Sequence, residues 1–398
     1  MNTPKIRFKG FKDDWEQRKL DTVAKFSKGS GYSKGDLIET GTPIILYGRL
    51  YTKYETSISD VDTYVEAKEG SVYSKGGEVI VPASGETAED IARAATVDKS
   101  GILLGGDLNV VMPNEDINSA FLAISISNGN SQRELAKKAQ GKSVVHIHNE
   151  EIRNLIVPFP IKAEQNRIVD YFSTLDHLIT LHQRKCDETK QLKKFMLQKM
   201  FPKNGEKNPE IRFEGFTDAW EQRKFEDVGT VAMCKRIFKE QTSEEGEVPF
   251  YKIGTFGGIP DAYITRELFE EYKKNYQYPN KGDILISASG SIGRTVEYTG
   301  KDEYYQDSNI VWLKHENDLD NSFLKVLYGV IEWSCEGSTI KRLYNDNFLK
   351  TEFMLPKIEE QIKIGEYFSK LDHLITLHQR KCEKLKALKK FMLQNMFI

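Results

Sequence analysis

The chain has 398 residues, 39% of them hydrophobic and 11% aromatic, which is enough for two compact domains with separate cores. Its formal net charge is −2, so the general excess of Lys and Arg that marks many nucleic-acid-binding proteins is missing. Four cysteines without a CxxC pair argue against a zinc site and a disulfide framework, and no apolar run has the length of a signal peptide or a membrane span. A reduced, cytoplasmic setting is the simplest expectation, and any DNA-binding surface must be local.

The first domain is predicted to occupy residues 1–160. Its short apolar runs at 42–47, 78–82 and 108–112 are bounded by Gly, Ser, Asn and Pro, which is typical of β-strands. Residues 120–127 instead favour a helix. The domain is therefore predicted to mix strands and helices.

A long helix is predicted at residues 161–201. Pro160 precedes Glu164 and Gln165, which places an acidic side chain in the first turn, where the helix dipole favours it. Apolar residues then recur at alternating spacings of three and four, the pattern of a coiled-coil seam. At about 1.5 Å per residue the helix would be about 55 Å long. Residues 202–210 contain Pro, Gly, Asn and Lys and are predicted to be a linker.

The second half of the chain repeats this layout. Residues 164–201 recur as 360–397, including the identical run LDHLITLHQRKC, and residues 6–20 recur nearly unchanged as 211–225. Between these blocks only local matches remain: 77–85 with 282–290, 107–111 with 307–311, and 141–160 with 337–356 without a gap. We therefore predict a second domain at 211–356 and a second spacer helix at 357–398, with one fold and two different surfaces.

The order of the repeated blocks predicts how the parts assemble. Residues 211–225 follow the first helix, so a two-fold relation between the halves places their twin, residues 6–20, beside the end of the second helix. The predicted fold class is α+β: two globular domains of similar fold, joined by two long antiparallel coiled-coil helices in a pseudo-two-fold, circular arrangement. Trp15 and Trp220 are predicted core anchors, because a base-reading residue should differ between the domains.

The predicted seam between the helices includes two central histidines, His182 and His378. Register control by polar groups is the favoured role for this pair, whereas a metal site lacks further ligands nearby. Protonation of both histidines is hypothesised to weaken the helix pair by repulsion between like charges. The predicted interface residues are Ile168, Tyr171, Leu175, Leu178, His182, Leu192, Ile364, Tyr367, Leu371, Leu374, His378, Leu385 and Leu388.

Two motifs, each present twice, carry a resemblance that covers essentially the whole chain. A P-x3-EQ-x2-I entry begins each helix at Pro160 and Pro356, and an LD-x2-I core follows at Leu175 and Leu371. Together with the duplicated domain-plus-helix layout, these motifs resemble the specificity subunits of type I restriction–modification systems. The WEQRKL segment suggests a Gram-positive, staphylococcus-like member.

The resemblance implies a division of labour. Each domain would be a target recognition domain that reads one half of an asymmetric, bipartite DNA target. The helices would set the unread gap and dock two modification subunits, and through them the restriction subunits. No catalytic residue or cofactor is implied for this chain, whereas S-adenosylmethionine, ATP and Mg²⁺ would belong to the partner subunits.

The residues agree with a non-catalytic subunit. The sequence contains neither a G-x-x-x-x-G-K-[ST] phosphate loop nor the Asn/Asp-Pro-Pro-aromatic motif of amino-methyltransferases. The alternative is a two-headed coiled-coil scaffold that binds proteins or RNA without restriction partners. A self-contained nuclease or methylase is disfavoured by the missing motifs.

Candidate DNA-contacting residues are polar and basic side chains in Gly- and Ser-containing loops. Base edges require Arg, Lys, Asn or Gln, and phosphates accept from backbone amides, hydroxyls and cations. In the first domain the candidates are Lys28, Ser30, Tyr32, Lys34, Tyr47, Arg49, Ser84, Glu86, Thr87, Arg93, Lys142, Ser143, His146 and His148. In the second they are Lys235, Arg236, Lys239, Thr255, Ser289, Ser291, Arg294, Lys341 and Arg342. The SASG-type turn shared by both domains could hold a phosphate, or could be a strand-end turn that requires glycine.

Overall fold

The chain forms two compact units, Met1–His182 with Arg380–Ile398, and Gln183–Gln379. The computed structural model describes residues 3–88, 90–141, 144–203, 205–338 and 341–397. Each unit contains one globular domain, the first half of the long helix that follows it, and the second half of the other long helix. We call them the first and second units.

In its described residues the first domain has 14 strands and four short α-helices, and the first long helix follows it. In chain order these are β1 (Glu16–Lys19), β2 (Ala24–Lys28), β3 (Leu37–Ile38), β4 (Thr42–Ile45), α1 (Arg49–Thr52), β5 (Ser57–Ile58), β6 (Tyr64–Val65), β7 (Tyr73–Lys75), β8 (Glu78–Pro82), β9 (Ser84–Gly85), β10 (Ala95–Val97), β11 (Ser100–Leu104), β12 (Leu108–Pro113), α2 (Ser119–Ile126), α3 (Gly129–Lys138), β13 (Val145–His146), α4 (Asn149–Arg153), β14 (Ile156–Phe159) and α5 (Lys162–Lys199).

The part of the second domain that the structure describes has nine strands and four α-helices, and the second long helix follows it. They are β15 (Glu221–Lys224), α6 (Phe225–Val228), β16 (Gly229–Met233), β17 (Val248–Tyr251), β18 (Tyr263–Ile264), α7 (Arg266–Asn275), β19 (Ile284–Ser287), β20 (Thr295–Glu297), β21 (Tyr304–Tyr305), β22 (Ile310–His315), α8 (Asn321–Tyr328), α9 (Asn345–Lys350), β23 (Glu352–Leu355) and α10 (Ile358–Met396).

Each domain is built on a sheet of its own, and the two sheets have the same strand order. In the first domain its order is β2-β12-β8-β10 with β5 added at one edge, and in the second it is β16-β22-β19-β20. A second sheet contains a parallel pair in both domains, β4 with β11 and β17 with β21. The prediction of one fold with two different surfaces is therefore confirmed for the fold.

The central strand of the first domain, β8, explains why this region reads as an unbroken apolar run. Val79 and Val81 face the core that also holds Trp15, whereas Ile80 faces a second core on the other side of the sheet. In the second domain Ile284 and Ile286 face the core of Trp220, and Leu285 faces the opposite one. Trp15 and Trp220 are both buried, which confirms them as core anchors.

The N-terminal segment lies beside the end of the second long helix, as the circular arrangement predicts. In the first unit the Ile6 amide donates to the Asn395 carbonyl at 3.0 Å. In the second unit the twin bond runs from the Ile211 amide to the Lys199 carbonyl at 2.9 Å. Each unit therefore completes the same frame with a different piece of the chain.

A buried ion pair fastens that segment to the helix entry. Arg7 donates from Nε and Nη2 to the Glu164 carboxylate at 2.6 and 2.7 Å, and Arg212 makes both bonds to Glu360 at 2.7 Å. The Glu164 carboxylate, through its hydrogen bond and charge, raises the pKa of Arg7. The neighbouring Gln165 side chain donates to the Pro160 carbonyl and accepts from the Asn118 amide that precedes α2. The EQ motif therefore ties the helix entry to the N-terminal segment and to the domain.

The long helices run antiparallel within each unit, as predicted. In the first unit the Lys389 ammonium is 2.5 Å from Asp176 on the other helix, and the ring centroids of Phe172 and Phe397 are 6.1 Å apart. In the second unit Lys193 lies 2.5 Å from Asp372.

The structure corrects part of the predicted seam, because Leu192, Leu374 and Leu388 are exposed. At those turns the contact comes from the adjacent residue: Lys193 pairs with Asp372, and the Cys186 thiol lies 3.9 Å from the Ile375 carbonyl. Tyr171 and Tyr367 pack instead against the N-terminal segments, with ring centroids 5.6 Å from Phe8 and 6.0 Å from Phe213.

The physical reason is that the sequence permits two heptad frames. Both Tyr171 and Phe172 are apolar, and both keep a spacing of three or four from Ile168 and Leu175. Phe8 from the N-terminal segment packs against Tyr171, so Phe172 becomes the buried seam residue. Ile168, Leu175, Ile364 and Leu371 are common to both frames and are buried.

Candidate nucleic-acid interface

The turn after β8 joins distant parts of the first domain. The Ala83 amide donates to the Asp107 carbonyl at 2.7 Å, and the Ala83 carbonyl accepts from the Ile147 amide at 3.0 Å. Ser84 is buried beside the exposed His146, with 3.1 Å between Oγ and Nδ1. A Cβ on Gly85 would stand 2.8 Å from the Tyr51 hydroxyl, so close approach rather than a positive φ favours glycine here.

His146 pairs on its other side with Gln140, which makes three chain segments adjacent. The Gln140 amide donates to the His146 carbonyl at 3.1 Å, and the His146 amide donates to the Gln140 carbonyl at 2.8 Å. The order across this small sheet is Ser84, His146, Gln140. Gln140 and His146 are both exposed, so the backbone is fixed while the side chains reach solvent.

The second domain repeats the arrangement with other side chains. Ser289 is buried and pairs with Arg342, which pairs in turn with Glu336. The Glu336 and Arg342 amides each donate to the other's carbonyl, at 2.9 and 2.8 Å. Gly290, with φ of 69°, donates its amide to the Lys341 carbonyl at 3.1 Å. The shared turn therefore uses glycine for φ in this domain only.

These two sets of three residues occupy equivalent positions, and we call each an edge triplet. The gapless match of 141–160 with 337–356 makes His146 equivalent to Arg342. Extending that match by one residue towards the N-terminus makes Gln140 equivalent to Glu336. The triplets are thus Ser84, His146, Gln140 in the first domain and Ser289, Arg342, Glu336 in the second. The serine is shared and the exposed pair differs.

Several first-domain candidates gather around a cavity of about 510 Å³. Tyr47, Ser84, Glu86 and Arg93 line it, and Arg93 pairs with Asp90 at 2.7 Å. Burial raises the pKa of Tyr51, another lining residue, so its phenol remains a hydrogen-bond donor. Thr87 is an exposed neighbour whose hydroxyl donates to Asp90 at 2.8 Å.

Two first-domain candidates, Arg49 and Tyr32, have largely buried side chains, so their assignment as DNA contacts is corrected, whereas the part-buried Ser30 stays a prediction. The largely buried Arg49 side chain is held by Asp62 at 2.8 Å and Glu55 at 2.7 Å, so its charge is already balanced. Tyr32 is buried, and its hydroxyl is 2.6 Å from Ser71 Oγ. Ser30 Oγ donates to the Leu104 carbonyl at 3.3 Å. The partners of Tyr32 and Ser30 lie 39 and 74 residues away in the chain and could not be read from the local sequence.

The other first-domain candidates lie on separate segments of the chain. Lys28 and His148 are exposed, and the Asn149 side chain, next to His148, donates to the Ser27 carbonyl at 2.8 Å, so these positions lie close together. Lys34 is exposed at the start of a short 3₁₀ helix, Lys34–Asp36. Lys142 and Ser143 lie outside the described residues.

In the second domain the structure brings three candidate loops together. Arg294 Nη1 donates to the Phe256 carbonyl at 2.8 Å, which joins its loop to the one containing Thr255. The Ser291 carbonyl accepts from Ser287 Oγ at 2.6 Å, and Gly290 connects the same loop to Lys341. Thr255, Ser289, Ser291, Arg294, Lys341 and Arg342 therefore belong to one connected surface.

Lys235, Arg236 and Lys239 follow β16 on a separate segment. The Lys235 ammonium lies 4.9 Å from the Tyr276 ring centroid, and Arg236 is 3.8 Å from Asp307. Lys28 and Lys235 occupy equivalent positions in the two domains. Phe26 pairs with Val111 and Met233 pairs with Val311, and these two valines are equivalent. Each lysine lies two residues after its paired strand residue. Both lysines are exposed.

Sequence reasoning missed Gln140 and Glu336. Neither lies in a recognisable motif, and each joins its triplet through a single backbone bridge. Extending the gapless match by one residue would have paired them, but only the structure places them beside Arg342 and His146.

Within the described ranges, no cluster of three or more His, Cys, Asp or Glu residues could hold a metal ion. No helix in the described part of the chain is both long and apolar enough to cross a membrane.

The chain resembles known proteins over its full length. The family model for the type I restriction modification DNA specificity domain matches twice, at residues 12–191 and 217–387. A protein of Haemophilus influenzae assigned as a type I restriction enzyme specificity subunit is 39% identical over 269 residues, which cover 67% of this chain and 68% of that protein. A type I restriction enzyme specificity subunit of Methanocaldococcus jannaschii is 22% identical over 401 residues, covering 96% and 91%.

Solved structures share the fold. The crystal structure of a type I restriction-modification system S subunit from M. genitalium superposes with a TM-score of 0.64 at 14% identity, covering 100% of this chain and 99% of that one. A chain from a structural study of complex assembly and conformational transition of the type I R-M system gives a TM-score of 0.51 at 18% identity, covering 96% and 97%.

Both units therefore carry the frame and the sequence signature of the same kind of domain. The chain belongs to the family of type I restriction–modification specificity subunits, with two DNA specificity domains.

Proposed function

We propose that each domain reads one half of an asymmetric, bipartite DNA target. The observation that carries this proposal is a frame that occurs twice while its exposed side chains differ. The Arg–Glu pairs, the sheet order and the small sheet beside Ser84 and Ser289 are common to both units. The exposed residues on that small sheet are not, so two equivalent docked domains would contact different bases.

The long helices are proposed to dock two copies of a modification subunit. Each unit exposes the same two apolar side chains on its helices: Leu388 at 40% and Phe391 at 53% in the first, Leu192 at 45% and Phe195 at 47% in the second. Burying a large apolar side chain contributes about 1.5–3 kcal/mol, so a repeated exposed pair favours a repeated partner. Identical patches in two units fit two copies of one protein.

Catalysis is proposed to belong to the partners, in the cytoplasm. S-adenosylmethionine, ATP and Mg²⁺ would be bound by the modification and restriction subunits, and this chain would supply specificity alone. Its net charge of −2 supports a further division, in which the modification subunits make many of the phosphate contacts. Salt dependence of DNA binding, measured with and without those subunits, should then show a much steeper slope for the complex.

Footprinting tests the reading of DNA. The chain assembled with modification subunits should protect one split, asymmetric sequence, and replacement of residues 1–160 by those of a relative should change one half-site only. Protection without sequence preference, or loss of both half-sites after the exchange, would contradict the proposal. Binding of RNA or proteins in place of the split DNA target would favour the scaffold alternative.

Native mass spectrometry tests the docking surface. Leu192→Glu with Phe195→Glu should remove one modification subunit, and the twin changes at Leu388 and Phe391 should remove one as well. The variant with all four changes should bind no modification subunit. Lys190→Glu, exposed on the same helix, is the matched charge control and should retain both copies. Two bound copies on the fourfold variant would exclude this surface.

A further inference from the structure

We infer that the exposed pairs of the edge triplets determine base identity at one equivalent position of each half-site. In the second domain Arg342 and Glu336 select a G·C pair, and in the first domain Gln140 and His146 select an A·T pair. This inference rests on the proposed reading of a bipartite DNA target. It assigns the specificity of each domain to two side chains.

The backbone beneath these side chains is hydrogen-bonded on both sides. His146 and Arg342 are each bonded through the backbone to a returning segment, with donor–acceptor distances between 2.8 and 3.1 Å. On the other side each pairs with a buried serine, Ser84 or Ser289. Such a backbone fixes the positions from which these side chains extend before a ligand arrives, and base discrimination benefits from such preorganisation.

The chemistry of the second triplet matches one base pair. Arg342 is exposed, so its guanidinium can donate to guanine O6 and N7. Glu336 accepts from the Asn347 side chain at 2.9 Å through Oε1, which orients the carboxylate. Its other oxygen can accept from the N4 amino group of cytosine.

The first triplet offers a different pattern. Gln140 carries both a donor and an acceptor, the pair that matches adenine N6 and N7. His146 Nδ1 is engaged with Ser84 at 3.1 Å, so only the Nε2 edge remains for a base or a phosphate. A glutamine with one imidazole nitrogen favours an A·T pair over a G·C pair.

An internal contrast supports the assignment. Lys28 and Lys235 also occupy equivalent exposed positions, yet they are the same residue in both domains. A contact to phosphate carries no sequence information and can be identical in both domains, whereas a base contact must differ where the half-sites differ. The two lysines therefore serve as matched controls.

Selection from a randomised DNA library tests the inference, with the full chain assembled with its modification subunits. Glu336→Gln with Arg342→His transfers the first-domain pair to the second domain. It should convert one G·C position of one half-site to A·T and leave the gap and the other half-site unchanged. Arg342→Ala should reduce discrimination at that position by about 5- to 150-fold, the value of one bidentate base contact. Gln140→Glu with His146→Arg should make the reciprocal change.

The controls separate the possible failures. Lys28→Ala and Lys235→Ala should weaken binding to all sequences and lower the salt slope by about one, without changing base preference. Unchanged base preference in the Glu336 and Arg342 variants, or a uniform loss like that of the lysine variants, would overturn the inference. If the unaltered complex selects no split sequence, the proposed function itself fails. Thermal melts confirm that each variant is folded.

Discussion

The buried ion pair between Arg7 and Glu164 provides a quantitative test of how each unit is completed. Glu164→Ala removes a carboxylate that is 0% exposed and leaves the Arg7 guanidinium, 14% exposed, without its partner. Breaking a buried ion pair costs about 3–5 kcal/mol. Because water can still reach part of Arg7, we expect about 3 kcal/mol, the lower end of that range. In a unit of about 200 residues this corresponds to a fall in Tm of about 6–12 °C.

Calorimetry together with amide hydrogen exchange can assign the loss to one unit. Glu164→Ala should accelerate exchange in the first unit, including the Ile6 amide that bonds to Asn395. Glu360→Ala is the matched variant and should act in the same way on the second unit, where Glu360 holds Arg212.

Replacing both partners with apolar side chains provides the control. Arg7→Leu with Glu164→Leu should recover most of the stability, since a well-packed apolar pair often replaces a buried ion pair without loss. A change of less than about 1 kcal/mol for Glu164→Ala, the value of an exposed pair, would refute the reasoning. So would equal exchange rates in both units.

Four further outcomes are expected. Gly365→Ala should destabilise the second unit by about 1–3 kcal/mol in chemical denaturation, although alanine favours helices, because its Cβ would meet the Phe323 amide nitrogen at 2.8 Å; a stabilised variant would contradict this. Burial raises the pKa of Cys234 to about 12, so alkylation at pH 8 should modify Cys335 and leave Cys234 intact until unfolding. Because of this raised pKa, Cys234 adds to the folding stability below about pH 9, and this contribution is lost as the pH rises towards 12. Cys234→Ala should therefore make the free energy of unfolding depend less on pH between about pH 9 and 12. Lys193→Met should change stability by less than about 1 kcal/mol, since the pair with Asp372 is partly exposed; a larger loss would show that the pair fixes the helix register.

Local sequence patterns were reliable for segments that lie inside one sheet or one core. The strands at 78–82 and 108–112 were predicted nearly to the residue, because their apolar side chains face cores on both sides of one sheet. Trp15 and Trp220 were assigned to the core from their duplication alone. The EQ motif was recognised as a helix entry, but its bonds to Arg7 and to Asn118 were not foreseen.

The interface was harder to predict because a side chain's exposure depends on residues far away in the chain. Arg49 is the type of residue that contacts DNA, but the Asp62 and Glu55 carboxylates balance its charge and the Asp60 carbonyl accepts a further hydrogen bond from its guanidinium. Gln140 and Glu336 have no distinguishing sequence context, and a single backbone bridge places each in its triplet.

The duplicated plan follows from the amino-acid sequence: two domains of one fold, two long helices, and an N-terminal segment that completes the frame of the last helix. Repetition carries this information, because identical segments fold alike in both halves. Contacts between distant segments determine which heptad frame forms the seam and which polar side chains remain exposed. Tyr171 and Phe172 suit the seam equally well, and the choice between them comes from Phe8, about 160 residues earlier in the chain.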